Sequence, residues 1–162
     1  MTAAKAYLIA AAVFVLDQIS KLWIIAGLGL EAKGSVKLLP VLSLTWVENR
    51  GVSMGLLQAD GDSERWVLTA VTAAIAAAVA WWMRKEANRI DLVALSLVLG
   101  GALGNILDRI RFGYVVDFVH VHVGAWSFYV FNVADAAISM GVAVLLLRAL
   151  FERKPAGQEK EV

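Results

Sequence analysis

The chain has no cysteine, only two prolines and two histidines, and a net charge of +1. Without cysteine there is no disulfide, no thiolate nucleophile and no zinc–thiolate site. Nor can the protein carry a thioether-linked lipid of its own. Pro155 lies in a polar tail and Pro40 in a loop, so no proline interrupts the long apolar stretches. The near-zero charge excludes the electrostatic footprint expected of a nucleic-acid partner. His120 and His122 stand two apart in a strand-like run, but no third residue with ligand spacing accompanies them. No metal or other cofactor is expected, and the histidines read as interfacial.

What is present is apolar. Of 162 residues, 60% are hydrophobic, with a mean hydropathy of +0.70. An ordinary soluble domain of this size is far less apolar. Four long apolar runs stand out: Ala6 to Leu28, Trp66 to Met83, Leu92 to Leu107 (extending to Ile110), and Phe131 to Phe151. A membrane-spanning helix needs about 17–25 such residues. The sequence therefore predicts an all-α membrane protein, one domain over 1–162, with transmembrane helices at about 6–28, 66–83, 92–110 and 131–151. Residues 152–162 read as a polar tail. Lys5 precedes the first run as in a signal peptide, but Asp17 and Lys21 interrupt that run, and it is read as a span.

Basic residues orient the chain. Lys5, Arg84, Lys85, Arg89, Arg148, Arg153, Lys154 and Lys160 fall on one side of the four runs, which is assigned as cytoplasmic. Both termini are then inside, and the two other connections face out. In the first, VKLLPVLSLTWVEN reads as two short strands broken at Pro40, and GVSMGLLQA as a short interfacial helix. In the second, Asp117, Val119, Val121 and Val123 alternate with Phe118, His120 and His122, the period of a strand. A small extracytoplasmic β-cradle is expected.

Carboxylates at membrane depth are expensive and point to function. Asp117 and Asp135 sit at the edges of apolar stretches on either side of one link. Two neighbouring carboxyls tend to share a proton, so that one acts as base and the other as acid. That is the chemistry of aspartic proteases. Asn132 at an N-cap would place Asp135 at the third helical position, so Asp135 also has a plain capping role open to it. On the third run, Gly100, Gly101 and Gly104 lie along one face with Asn105 and Asp108, and Arg109 follows Asn105 by four. Gly101 and Gly104 suit close helix packing, while Asn105 and Arg109 suit substrate binding. Asp17 and Lys21, one turn apart, form a structural ion pair, with Asp17 nearer mid-depth than the other carboxylates. In the first outer loop, Asn49 and Gly51 offer an amide and a close backbone approach. A proton or ion transporter using Asp17, Lys21, Asp108 and Asp135 as a relay is the competing reading.

Taken together, Asp17-Gln18 to Lys21, Asn49-Arg50-Gly51, GGALGNILDR, GYVVDFV and FNVAD, in that order, resemble the motif blocks of bacterial lipoprotein signal peptidase, or signal peptidase II. The resemblance implies a multi-pass enzyme of the bacterial inner membrane with its active site near the extracytoplasmic face. It places the catalytic pair on Asp117 and Asp135 and the substrate site on Asn49, Asn105, Arg109 and Asn132. It ties Asp17 to stability. The implied substrate is a diacylglyceryl-modified prolipoprotein, cut before the lipidated cysteine, among membrane lipids and with a monomeric enzyme. Met54 stands where the family usually has an aromatic residue.

The topology is open to direct measurement. Single cysteines introduced at Ala87 and Ala125 are the first thiols in the protein. An impermeant thiol reagent added to spheroplasts should label position 125 and spare position 87. The reverse pattern would put Asp117 and Asp135 on the cytoplasmic side.

Overall fold

The structure is a computed structural model that describes residues 1–51, 62–124 and 126–151. The expected interfacial helix, Met54 and the polar tail lie outside the described residues.

Four helices are long and apolar enough to cross a membrane. Helix α1 spans Ala3–Leu22 and continues as a π-helical turn, Trp23–Gly27. A single helical turn, α2, follows at Leu30–Lys33. Helix α3 spans Asp62–Met83, α4 Arg89–Phe112 and α5 Val133–Phe151. The third span is longer than its apolar run: α4 carries Asn105, Asp108 and Arg109 inside the helix, all buried. Asn88 caps its start by accepting from the Ile90 and Asp91 amides, and Gly113, at φ 88°, ends it. Arg65 of α3 donates to the terminal carbonyls of Arg109 and Ile110 (2.9 and 3.0 Å), the first of which also accepts from the Gly113 amide (3.1 Å). The end of α4 is thereby satisfied by a neighbouring helix.

Between the helices lies a four-stranded antiparallel sheet in the order β1-β2-β3-β4. Its strands are β1 Ser35–Leu39, β2 Leu42–Asn49, β3 Val115–Val123 and β4 Trp126–Ser127. The break at Pro40 is where the sequence puts it. The label all-α thus holds for the spanning part alone. One irregularity matters for the site. Between Leu44 and Val47 the β2–β3 register shifts by one residue, so Asp117 stands opposite Val47. Without that shift Asp117 would face Trp46, and Asn49 would project from the other side of the sheet.

Two apolar clusters bracket the polar residues. One joins α1, α3 and α4 through Ala6, Ala10, Ala76, Met83, Leu92 and Leu95. The other lies under the sheet, with Ile24, Leu30, Leu44, Val116 and Phe118. Outward-facing Leu8, Leu16, Ile19, Val67 and Leu146 remain exposed, as expected of surfaces that meet lipid.

Helix α4 is the hub, and its glycines do not share one face as the spacing suggests. A Cβ on Gly100 would meet the Ala10 carbonyl and Val13 of α1; one on Gly104 would meet the Asp17 carboxylate. A Cβ on Gly101 would lie 2.5 Å from the Ala134 carbonyl of α5. The stripe 100–104–108 therefore faces α1, while 101–105 faces α5. Backbone in the way leaves no flexible group to give. Gly101→Ala should lower stability by about 1–3 kcal/mol, a typical overpacking cost, read as a fall in the melting temperature in detergent. An unchanged melting temperature would show that α4 and α5 separate without cost.

Candidate active site

Asp117 reaches the site on β3, where it is 2% exposed. Its Oδ2 accepts from Asn49 Nδ2 (2.9 Å), a diagonal cross-strand neighbour brought to the same face by the register shift. Its Oδ1 accepts from Asn132 Nδ2 (2.6 Å). Asn132 is held beside β3 because the Phe131 amide and carbonyl bridge to Val119 (3.0 and 2.7 Å).

Asn132 also begins α5. Its Oδ1 accepts from the Asp135 amide (2.9 Å), and Asp135 Oδ2 accepts from the Asn132 amide (3.3 Å). This is the reciprocal capping box that the sequence spacing suggests. Capping does not exhaust Asp135, whose Oδ1 accepts from Asn105 Nδ2 (2.8 Å). Asn132 thus touches both carboxylates, and the two acids sit on either side of one amide side chain.

Beneath them lies a buried ionic cluster. Lys21 Nζ is 2.8 Å from Asp17 Oδ2 and 2.8 Å from Asp108 Oδ2, and donates to Asn105 Oδ1 at 3.1 Å. The expected pair is therefore a triad. Replacing only Asp17 and Lys21 with apolar residues would strand Asp108. Asp17 Oδ1 accepts from the Ala134 amide (3.0 Å) and Asp108 Oδ2 from the Val116 amide (3.1 Å). Asp17 thus sits at the level of the first turn of α5. Gln18, to which the spacing gave no role, donates to Asp108 Oδ1 (3.0 Å) and Asp17 Oδ2 (3.2 Å). Its signal was a polar amide beside Asp17 inside an apolar run.

Arg109, 9% exposed, donates to the Gly51 carbonyl (3.2 Å). The Gly51 amide donates to Asn49 Oδ1 (3.2 Å). The polar residues singled out on five separate segments thus converge. The amides of Asn49, Asn105 and Asn132 are already engaged on the two carboxylates. His120 and His122 lie apart from this cluster: their rings bond to Thr45, Ser127 and Ser43 hydroxyls. Among the described residues, Asp135 opens onto a groove of about 200 Å³ lined by Phe128, Tyr129, Phe131, Ala136 and Ser139. An apolar segment of chain lying there meets a carboxyl at its edge.

Burial pushes the Asp117 carboxyl up, from 3.8 to about 7, and the charge of Asp135 adds to the rise; donation from Asn49 and Asn132 and the charge of Lys21 oppose it. Two interacting carboxyls titrate as a pair, so the site holds a proton near neutral pH and can offer a base and an acid together.

The raised value has a stability consequence. The folded protein keeps the Asp117 proton to about 7, whereas the unfolded chain loses it near 3.8. The stabilisation is complete below the unfolded value and lost as pH rises through the folded one. The melting temperature of the parent should therefore fall, relative to Asp117→Asn, as pH is raised across that window. A difference independent of pH would contradict a buried, protonated Asp117.

Comparison with known proteins agrees with this geometry. A family model described as Signal peptidase (SPase) II matches residues 9–151. The lipoprotein signal peptidase of Rhizorhabdus wittichii is 54% identical over 148 residues, covering 91% of this chain and 86% of the relative. That of Sphingopyxis alaskensis is 51% identical over 150 residues, covering 92% and 87%. A bacterial membrane enzyme solved by the in meso method superposes with a TM-score of 0.80 at 32% identity, covering 98% of this chain and 94% of that one.

Proposed function

The chain belongs to the signal peptidase II family and removes signal peptides from prolipoproteins as a multi-pass protein of the bacterial inner membrane; we propose that it does so as an aspartic endopeptidase, with Asp117 and Asp135 as the catalytic pair. The observation that carries the assignment is Asn132, which donates to a carboxylate oxygen of each acid, from its side chain to Asp117 and from its backbone to Asp135. A capping residue needs one acid; this one organises two.

In this reading one carboxyl, ionised, removes a proton from water as the water attacks the scissile carbonyl. The other, protonated, donates its proton to the carbonyl oxygen as the tetrahedral gem-diol forms. On collapse the amine leaves with the proton held by the first carboxyl, and the second carboxyl takes its own proton back from the gem-diol hydroxyl. No group on the protein is acylated. Arg109 supports the peptide side of the site: its guanidinium fixes the Gly51 carbonyl and so the turn that follows Asn49. Asn49, Asn105 and Asn132 hold the acids as well as line the substrate path, so their role is more in orienting the pair than in binding substrate alone. The substrate is a diacylglyceryl-modified prolipoprotein cut before the lipidated cysteine. Its acyl chains remain among the membrane lipids and fix the depth of the scissile bond. Both termini are cytoplasmic and the acids lie near the outer face, as the basic flanks favour.

A transporter relay wants carboxylates strung across the membrane. Asp17, Asp108, Asp117 and Asp135 instead join one hydrogen-bonded cluster through Lys21, Asn105 and Asn132, which favours the peptidase.

Asp117→Asn and Asp135→Asn should each abolish cleavage of a lipidated precursor while the protein still accumulates in membranes, because a dyad acts as a unit. Substantial turnover by either variant would sink the assignment. Arg109→Ala should slow turnover, and Arg109→Lys should restore it only in part, because an ammonium lacks the planar fork of a guanidinium. Full activity with Lys would reduce Arg109 to a simple charge.

A further inference from the structure

Each of the three side-chain amides that grip the acids, Asn49, Asn105 and Asn132, can in principle present either its oxygen or its NH₂. A neighbour that can only donate removes that freedom. For Asn132 the neighbour is the Asp135 backbone amide, which bonds to Oδ1 (2.9 Å) and so turns Nδ2 toward Asp117. For Asn105 it is Lys21, at 3.1 Å from Oδ1, with a second donation to the same oxygen from Asn132 Nδ2 (3.2 Å), whose two protons are shared among Asn105, Asp117 and the Val116 carbonyl. An ammonium has three N–H groups and no acceptor, and Lys21 Nζ has three acceptors: Asp17 Oδ2, Asp108 Oδ2 and Asn105 Oδ1. Asn105 must therefore show its oxygen to Lys21, which leaves Nδ2 for Asp135 Oδ1 (2.8 Å).

Resting on the reading of Asp117 and Asp135 as the dyad, we propose that Lys21 is a positioning residue for catalysis: its ammonium, held by Asp17 and Asp108, locks the polarity of the Asn105 amide, and Asn105 thereby fixes Asp135 as a hydrogen-bond acceptor. The lock settles which oxygen of the pair is least engaged by donors. Asp135 Oδ1 is taken by Asn105 Nδ2, Asp117 Oδ1 by Asn132 and Asp117 Oδ2 by Asn49. Among the described residues, Asp135 Oδ2 meets only the longer bond from the Asn132 amide (3.3 Å). It is the oxygen left to face water.

The ionic cluster and the dyad are in this way one network. It runs from Asp17 and Asp108 through Lys21 and Asn105 to Asp135. The charged groups around Asp135 are Asp117 from β3 and Arg109 from α4, with Lys21 and Asp17 of α1 and Asp108 of α4 forming the triad beyond Asn105. Of the two cations, Lys21 is the one joined to it through an intervening side-chain amide. Without Lys21, the Asn105 oxygen keeps only its share of Asn132 Nδ2, which also serves Asp117 and the Val116 carbonyl, and Asn105 can rotate that oxygen toward Asp135. The ionised pair then loses a donor, and its pH–activity profile moves to higher pH.

The test uses the full-length enzyme in detergent with a lipidated precursor. Lys21→Met alone would leave two carboxylates face to face, so it is made together with Asp17→Asn and Asp108→Asn. This triple variant should show a kcat lower by roughly 10–100-fold, the range seen when a group that orients a functional side chain is removed. KM should change little, and the pH profile should be displaced upward. Asn105→Leu, which keeps the ionic triad, should give the same change. Combining the two should add nothing further, since both break one relay. Lys21→Arg, again a cation that only donates, should retain the parent profile, and it decides the matter if the triple variant does not accumulate. A triple variant that loses melting temperature but keeps the parent kcat and pH profile would overturn the proposal. So would losses that multiply in the combined variant, or a displaced profile for Lys21→Arg. Asp135→Asn is run alongside. If it remains active the dyad itself is wrong, whereas an inactive Asp135→Asn beside an unshifted triple variant refutes only the lock.

Discussion

The sheet-bearing half of the bundle depends on one buried cation. Lys21 Nζ sits 2% exposed in a helix that faces lipid on its other side, and all three of its protons are used. In so apolar a setting an unpaired charge is prohibitive, and pairing must be complete or the segment will not insert. Completing it draws α1 to α4 through Asp108. It draws α1 to α5 through Asp17 and the Ala134 amide, and α4 to β3 through Asp108 and the Val116 amide. The ends of three elements that carry the site are thus tied to one ammonium. Such a cluster is weak evidence for added stability. What it supplies is a fixed geometry.

Close approach of backbones makes that geometry possible. Gly104 leaves the space the Asp17 carboxylate occupies, and Gly101 lets α5 lie against α4 so that Asn105 reaches Asp135. On the sheet side a one-residue irregularity turns Asn49 toward Asp117. Helix α5 then begins at the one residue, Asn132, that contacts both acids. The two side chains that cap it also hold the site, so forming the helix brings Asp135 and Asp117 to either side of Asn132.

Much of this was legible in the chain. Periodicity and length gave the four spans, Pro40 gave the hairpin, and the Asn132–Asp135 spacing gave the capping box. The convergence of Asp17, Asn49, Asn105, Asp108, Arg109, Asp117, Asn132 and Asp135 followed from the ordered motifs. What stayed hidden was tertiary. Spacing on α1 pairs Lys21 with Asp17, because i,i+4 neighbours are visible in one helix; nothing local shows that Asp108, on another helix, shares the same cation. The glycines of α4 look like one face until two neighbours divide them. The register shift in β2 leaves no mark in the residues Leu44 to Val47. The direction of each asparagine amide depends on donors contributed by other elements.

The central claim is that Asp117 and Asp135 share one proton at neutral pH. Isotope-edited infrared spectroscopy of protein carrying ¹³C-labelled aspartate reads this directly, by comparing the parent with Asp117→Asn. The account predicts a protonated-carboxyl band at neutral pH that is present in the parent and missing from the difference variant, and that disappears from the parent as pH is raised. A parent spectrum in which every aspartate contributed by the pair is already ionised well below neutral pH would contradict it.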